Sequence, residues 1–424
     1  MYSRLNTCSV LVKECRSYPG EVDFSYAALR RFPDVEAPNL QAWDATDELL
    51  VARALVASMA GDEIAVIGDE YGAITLALAD AGMRGIRVHQ DLATGRRALV
   101  RNAAALGFGT AGASVECELG PELLEGARLV LLQLPKSLAE LEEIVDAVAR
   151  WAAPGVTLIA GGRVKHMTLT QNEVLGRSFE TVQPQRAERK SRLIVATGAR
   201  DVPAEPPYPV TSAVEAPGLD RPLTLVAHGG AFAGSKLDIG TRVLLEVLAF
   251  PAQLRRNAAD GPKPGRDDAN PGKTSGVMQA AVTETVVDLG CGTGALAATY
   301  ALTHPGARII ATDRSAAAVA SARATMAANR ITAVVTHDDA GSEIPDQSAD
   351  LVLLNPPFHL GASIHTGAAI RLFDAAARIL KPGGELLTVY NSHLAYKQEL
   401  SRTIGPTEQL HRTRKFTVTR SIRR

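Results

Sequence analysis

The stretch "IAVIGDEYGA" (Ile64–Ala73) returns later in the chain as "VVDLGCGTGA" (Val286–Ala295), and that recurrence decides the fold. Gly68 falls on Gly290 and Gly72 on Gly294, each 222 positions further on. The same offset carries "HQD", ending at Asp91, onto "ATD", ending at Asp313. It also carries "RLVLLQLPK" onto the second half, with Gln133 on Asn355, Pro135 on Pro357 and Lys136 on Phe358. Upstream, "WDATDELLVARAL" resembles "LDIGTRVLLEVLA", with Asp44 on Asp238 at an offset of 194. The difference of 28 requires an insertion in the second copy. A run rich in Pro, Gly, Asn and charge, about 252–280, supplies it and reads as a mobile loop. One offset that holds through three separate motifs marks a duplication.

Within each copy, short apolar runs alternate with amphipathic or Ala-rich stretches, the pattern of βαβ units in a doubly wound parallel sheet. In the second copy "ETVVDLG", "ARIIATD", "ITAVVTHDD" and "ADLVLLN" read as strands. "TGALAATYALTH", "SAAAVASARATMAANR" and "GAAIRLFDAAARIL" read as helices, with "GGELLTVY" and "KFTVTRS" as the closing strands. The Pro-rich run "RDVPAEPPYPVTSAVEAPGLDRP" between the copies reads as a linker. The boundary is placed near residue 205, giving domains 1–205 and 206–424.

A chain of 424 residues, 46% hydrophobic and 21% charged, has ample material for two such cores. No apolar run is long enough to span a membrane, and the N-terminus carries no signal-peptide pattern. The cysteines Cys8, Cys15, Cys117 and Cys291 lack metal-type pairing, so no metal site is expected and the thiols suit a reducing cytoplasm. The net charge of −1 gives no overall pull toward nucleic acid. From Ser401 to the end, however, seven Lys/Arg face one acid, Glu408. Such a basic tail is either a solvated end or a phosphate contact.

"VVDLGCGTGALAA" carries the first chemical signal. Asp288 ends a strand, and Gly290, Gly292 and Gly294 permit a tight turn into a helix whose free N–H groups suit a carboxylate. A bare Gly-x-Gly-x-Gly is weak evidence, because dinucleotide enzymes and plain turns use related loops. An acid before the glycines suits a positively charged ligand group. Asp313, at the end of the next strand, is placed to accept the two hydroxyls of a ribose.

"DLGCGTG" followed by "NPPF" resembles the class I S-adenosylmethionine-dependent methyltransferases. The resemblance implies that Asp288, Gly290, Cys291, Gly292 and Gly294 hold the methionine end. It implies further that Asp313 binds the ribose and that Asp339 and Ala340, in "HDDA", border the adenine. Asn355, Pro356, Pro357 and Phe358 then read as an amine-methylation site beside the cofactor. An exocyclic amine is a poor nucleophile until its N–H bonds are held by acceptors that draw the lone pair out of the ring. The Asn355 side-chain oxygen and the Pro356 carbonyl are the candidates, and prolines fix the direction of the backbone. Phe358 offers a face to a flipped base, a contact worth roughly 1–3 kcal/mol. The methyl is already activated, so positioning carries the step and no metal is required. His359 either borders the base or caps the loop. His365 and His393 read as surface or packing residues.

The first copy departs at the critical points. Asp288 corresponds to Val66, Gly292 to Glu70, and Asn355-Pro356-Pro357-Phe358 to Gln133-Leu134-Pro135-Lys136. Glu70 would place a carboxylate against the cofactor's own. Asp91 survives at the ribose position. The first copy therefore reads as a degenerate domain that binds substrate or supports the second, with basic loops 161–166 and 185–192 available to RNA phosphates.

A degenerate copy, an active copy with "NPPFH", and the segment "FAGSKLDIGT" (Phe232–Thr241) together resemble the bacterial ribosomal RNA guanine-N2 methyltransferases. That resemblance covers nearly the whole chain. "LPKSLAELEEIV" and "KSRLIV" favour the large-subunit branch over the small-subunit one. "NPPF" is shared with adenine-N6 and protein glutamine-N5 methyltransferases, which remain alternatives, as does a non-catalytic RNA-binding assembly factor. The expectation is therefore α/β: two tandem doubly wound, Rossmann-like class I methyltransferase domains, the first degenerate. The expected cofactor is S-adenosyl-L-methionine and the expected partner is ribosomal RNA, with no membrane and no metal.

Overall fold

The computed structural model describes residues 24–108, 114–249, 283–357 and 364–424. Seven strands form the first sheet: β1 (Ile64–Ile67), β2 (Ile86–His89), β3 (Ser114–Glu116), β4 (Leu129–Gln133), β5 (Thr157–Arg163), β6 (Phe179–Pro184) and β7 (Ser191–Ala199). A separate hairpin pairs β8 (Val210–Val214) with β9 (Leu223–Ala227). The second sheet contains β10 (Thr285–Leu289), β11 (Arg308–Asp313), β12 (Val334–His337), β13 (Ala349–Leu354), β14 (Leu380–Asn391), β15 (Thr407–Arg412) and β16 (Phe416–Ile422). The strand orders are β3-β2-β1-β4-β5-β7-β6 and β12-β11-β10-β13-β14-β16-β15. Each order becomes the other on adding nine to every strand number, so the duplication seen in the sequence is a duplication of topology.

The central strands are apolar on both faces because helices cover both, as in any parallel sheet. All residues of β1 and β10 are buried. Asp44 caps helix Ala45–Ala57 by accepting from the Thr46 N–H at 2.6 Å, and Ser315 caps helix Ala316–Ala328 through the Ala318 N–H at 3.2 Å. Gly72 and Gly294 start their helices in the left-handed region, at φ 88° and 78°. There glycine avoids the strain of a Cβ.

Three parts of the sequence reading need correction. The sheets are mixed: β14–β16 and β15–β16 are antiparallel, as are β5–β7 and β6–β7. The inter-copy run is not all linker, since "VTSAV" forms β8, whose partner β9 brings Leu223 and Leu225 into the second domain's core with Leu244 and Leu296. The basic C-terminus is no free tail. β16 lies between β14 and β15, and Arg420 in it is ion-paired to Glu385 and Glu408. The insertion at about 252–280 lies outside the described residues. Boundary 205 falls between β7 and β8.

The two copies meet through equivalent corners. The Ala93 N–H donates to the Arg314 carbonyl and the Ala316 N–H to the Asp91 carbonyl, both at 2.8 Å, just past the ends of β2 and β11. Asp91 Oδ1 also accepts from the Ala317 N–H at 2.9 Å and from Ser315 Oγ at 3.1 Å. Across the seam, Glu143 accepts from the Gly229 N–H at 2.7 Å and lies 2.6 Å from His228 Nδ1. Only glycine fits at 229, because a Cβ there would stand 2.3 Å from the Ala139 carbonyl oxygen.

Candidate active site

A cleft of about 620 Å³ opens at the carboxyl ends of β10, β11 and β13, where ligands of doubly wound sheets bind. Gly290, Cys291, Gly292, Asp313, Asp339, Ala340, Asn355, Pro356 and Pro357 all line it. Residues far apart in sequence are thus gathered as expected. Lys136 and Ser137 of the first copy and residues 229–233 of the second also line it, so both halves of the chain contribute.

The glycine loop is shaped for a ligand. Gly290 and Gly292 have φ of 79° and 54°, and a Cβ on either would meet nothing within 4 Å. Open space at two left-handed glycines is a cradle that side chains would fill. Gly294 serves packing instead, because a Cβ there would come within 3.1 Å of Ala322. Asp313 is half-buried, with one carboxylate oxygen accepting from the Gly292 N–H at 2.9 Å and the other from the Ser315 N–H at 3.0 Å. Burial raises its carboxyl above the usual carboxylate range. Asp288 differs from expectation in that it does not line the cleft. It lies behind the loop, 1% exposed, and Oδ2 accepts the Ala297 N–H at 3.0 Å while Oδ1 has no partner among the described residues. Burial, with the charge of Asp313, pushes its carboxyl up to about 7. These residues fit a ligand with a ribose and an amino-acid end.

The neighbouring carboxylates of Asp338 and Asp339 are each held by a cation. Asp339 is ion-paired to Arg371. Its neighbour Asp338 is fully buried and accepts from Arg97 of the first domain at 2.6 Å, from Ser342 Oγ at 2.6 Å and from the Glu343 N–H at 2.8 Å.

Asn355 is oriented by two residues that sequence reasoning left without a role. Its Nδ2 donates to Asp238 Oδ2 at 3.1 Å and to Thr241 Oγ1 at 3.0 Å, which leaves Oδ1 buried with no partner among the described residues. A signal for these residues existed: at offset 194, Asp44 and Asp47 correspond to Asp238 and Thr241. In the first copy Gln133 Nε2 likewise donates to Asp47 Oδ1 at 2.5 Å. Phe358 and His359 lie outside the described residues, as does the side chain of His365; His393 is exposed.

The corresponding first-copy hollow is crowded with acids. Glu70 is exposed at the rim, but the surrounding hollow desolvates its carboxyl and raises it, with Arg31 and Lys136 acting against the shift. Asp47 is pushed up to about 8 by burial and by the charge of Asp69. The basic loops are partly spent, since Arg189 pairs with Glu48 and Arg163 lies 3.8 Å from Asp44. No group of three or more His, Cys, Asp or Glu among the described residues could hold a metal, and no described helix is long and apolar enough to cross a membrane.

Two protein families match this chain: the methyltransferase small domain over residues 275–420 and the RLMG N-terminal domain over residues 20–200. The ribosomal RNA large subunit methyltransferase G of Streptomyces avermitilis is 34% identical over 412 residues, covering 94% of this chain and 97% of the relative. The chain belongs to the ribosomal RNA large subunit methyltransferase G family. The member from Pseudomonas putida strain KT2440 is 35% identical over 396 residues, covering 92% and 96%. The fold of this family member is also that of a T. thermophilus 16S rRNA N2 methyltransferase solved with AdoMet and guanosine. That structure aligns with a TM-score of 0.67 at 21% identity, over 90% of this chain and 92% of the other.

Proposed function

We propose that this protein transfers a methyl group from S-adenosylmethionine to the exocyclic N2 amine of a guanine in large-subunit ribosomal RNA. The observation that carries the reading is the Asn355 amide, whose NH₂ is fixed by Asp238 and Thr241 and whose buried oxygen is left over at the cleft. A buried acceptor without a partner costs roughly 1–3 kcal/mol, and an incoming amine N–H removes that cost. In accepting it, Oδ1 turns the amine's lone pair away from the ring. The Pro356 carbonyl is the second acceptor, and Phe358 is the stacking face. Gly290, Cys291 and Gly292 cradle the amino-acid end of the cofactor, Asp313 takes the ribose hydroxyls, and Asp339–Ala340 border the adenine. When bound, S-adenosylmethionine supplies a sulfonium-activated methyl, so the protein's task is orientation and exclusion of water. The guanine must be flipped out of its stack, at a cost of a few kcal/mol, to reach Asn355.

The large-subunit methyltransferases related to this chain support the large-subunit substrate, and the N2 methyltransferase that shares its fold supports N2 of guanine. We assign catalysis to residues 206–424 and a supporting, RNA-facing role to residues 1–205, with the reaction in the cytoplasm. The test uses labelled S-adenosylmethionine with unmodified RNA of each subunit and with Asn355→Ala protein as control. N2-methylguanosine in large-subunit RNA alone is expected. Label in adenosine, in small-subunit RNA only, or in protein would overturn the assignment.

A further inference from the structure

Four carboxylates and four cations line the catalytic cleft, but they do not pair off one to one. Its acids are committed. Asp338 is tied to Arg97, Asp339 to Arg371, Asp238 to Asn355 and the Thr241 N–H, and Asp313 to two backbone N–H groups. Three cations on the same walls, Lys136, Lys236 and Arg314, have no carboxylate within ion-pairing distance among the described residues. Lys136 and Lys236 are exposed and Arg314 is half-buried. A cationic rim outside any salt bridge among the described residues, on a cleft that must admit a polyanion, is suited to phosphate contact; Arg314 also lies in the field of Asp313 and Asp339.

Lys136 has the most informative position. It follows Pro135 just beyond β4, where the second copy has Phe358, and it lines both the degenerate hollow and the working cleft. Ser137 next to it donates to the Gly229 carbonyl at 3.2 Å, which fixes this corner against the second domain. An ammonium cannot do the stacking work of an aromatic ring, but at the mouth of the neighbouring cleft it is well suited to a phosphate oxygen.

We infer that Lys136, on the degenerate copy of the substrate motif, reaches across the domain seam with Arg314 and Lys236 to grip backbone phosphates beside the flipped guanosine. The active site is thus composite, and the first domain contributes a substrate-binding side chain. The inference rests on the proposed RNA substrate. Lys136 also lies in the field of Glu70, so a purely structural role must be separated from phosphate contact.

The experiment measures binding of unmodified large-subunit RNA over a range of salt, methyl-transfer KM for RNA, cofactor Kd and melting temperature. It compares wild type, Lys136→Ala and Lys136→Arg. Lys136→Ala is expected to raise the RNA KM about tenfold and to flatten the slope of log K against log [salt] by about 0.7–0.9, one phosphate's worth. Cofactor Kd stays unchanged, and Lys136→Arg restores the slope. An unchanged slope and KM in an Ala variant, beside a wild type that methylates the RNA, overturns the inference alone. A lowered melting temperature with an unchanged slope assigns Lys136 to Glu70 and also overturns it. A wild type that neither binds nor methylates RNA overturns the functional reading and this inference together.

Discussion

Replacing Arg97 by alanine tests whether the first domain sets the cofactor affinity of the second. Asp338 is fully buried, and among the described residues its only cationic partner within ion-pairing distance is the Arg97 guanidinium at 2.6 Å. Removing one partner of a buried pair costs roughly 3–5 kcal/mol, because it strands the other charge. Two features lower that figure here. Arg97 is 31% exposed, so water screens part of the attraction. Asp338 also keeps the Ser342 hydroxyl and the Glu343 N–H. A cost of about 2–3 kcal/mol remains, and it falls on residues 338–343, which begin the wall containing Asp339 and Ala340. Arg371 still holds Asp339, so part of that cost is absorbed. About 1.4 kcal/mol reaching the bound state is a tenfold loss of affinity.

Titration calorimetry with S-adenosylmethionine should therefore show a Kd about ten times higher for Arg97→Ala. Asp338→Asn should weaken binding less, because the arginine it leaves behind is partly solvated. The double variant should be no worse than Arg97→Ala alone, since no charge is then stranded. This is the non-additivity expected of residues in contact. A Kd within twofold of wild type for Arg97→Ala, or single losses that simply add in the double variant, would refute the reasoning.

Asn355→Ala should lower kcat by roughly 10²–10³, the range for removing one oriented transition-state hydrogen bond, with cofactor Kd within about threefold. Parallel loss of both would place Asn355 in cofactor binding rather than amine orientation. Gly292→Ala should fold at a cost of about 1 kcal/mol, from φ 54° with open space around the new methyl. Its cofactor affinity should drop at least tenfold, as equilibrium dialysis would show; unchanged affinity would mean the cradle is not the binding surface. For Asp288, the native carboxyl at about 7 lies above its unfolded value of 3.8, so the folded state holds the proton more tightly. Wild-type stability then falls as pH rises from about 4 to 7, by at most about 4 kcal/mol. Asp288→Asn removes that penalty and should gain on wild type between pH 5 and pH 8 in urea unfolding. No gain would mean that Oδ1 is compensated.

The duplicated sheet was legible because turn glycines and strand-end acids are local requirements, so a single offset kept them in register. The gathering of Asp313, Asn355 and the glycine loop followed from the topology of a doubly wound sheet. What escaped depends on partners distant in sequence. The β8 residues alternate too weakly to announce a strand, and only the burial of Leu223 and Leu225 in β9 draws them into a hairpin. The closing strand "KFTVTRS" was legible as β16, but not its antiparallel partner β15, and the pairing carries Arg420 of the basic run into contact with two acids. Asp238 and Thr241 were visible only as a second register at offset 194, whose meaning needs the Gln133–Asp47 contact of the other copy.

Asp69 shows why an offset alone misjudges a degenerate copy. By register the acid of Asp288 has become Val66, which suggests that the first copy lost its strand-end carboxylate. Yet Asp69, three residues later and 0% exposed, accepts the Thr75 N–H at 2.8 Å. Thr75 is the counterpart of Ala297, whose N–H goes to Asp288. The acid has moved along the chain and still serves the same backbone donor at the start of the helix. That donor needs a partner whether or not a ligand binds, because a buried N–H left alone costs free energy in either copy. The cradle is under no such constraint, and there Glu70 stands where Gly292 stands in the second copy. Asp91, at the register of Asp313, is used differently: its carboxylate accepts from Ser315 and Ala317 across the seam. Groups needed for the fold were thus replaced in kind, while those needed only for a ligand were free to change or to be turned toward the neighbouring domain.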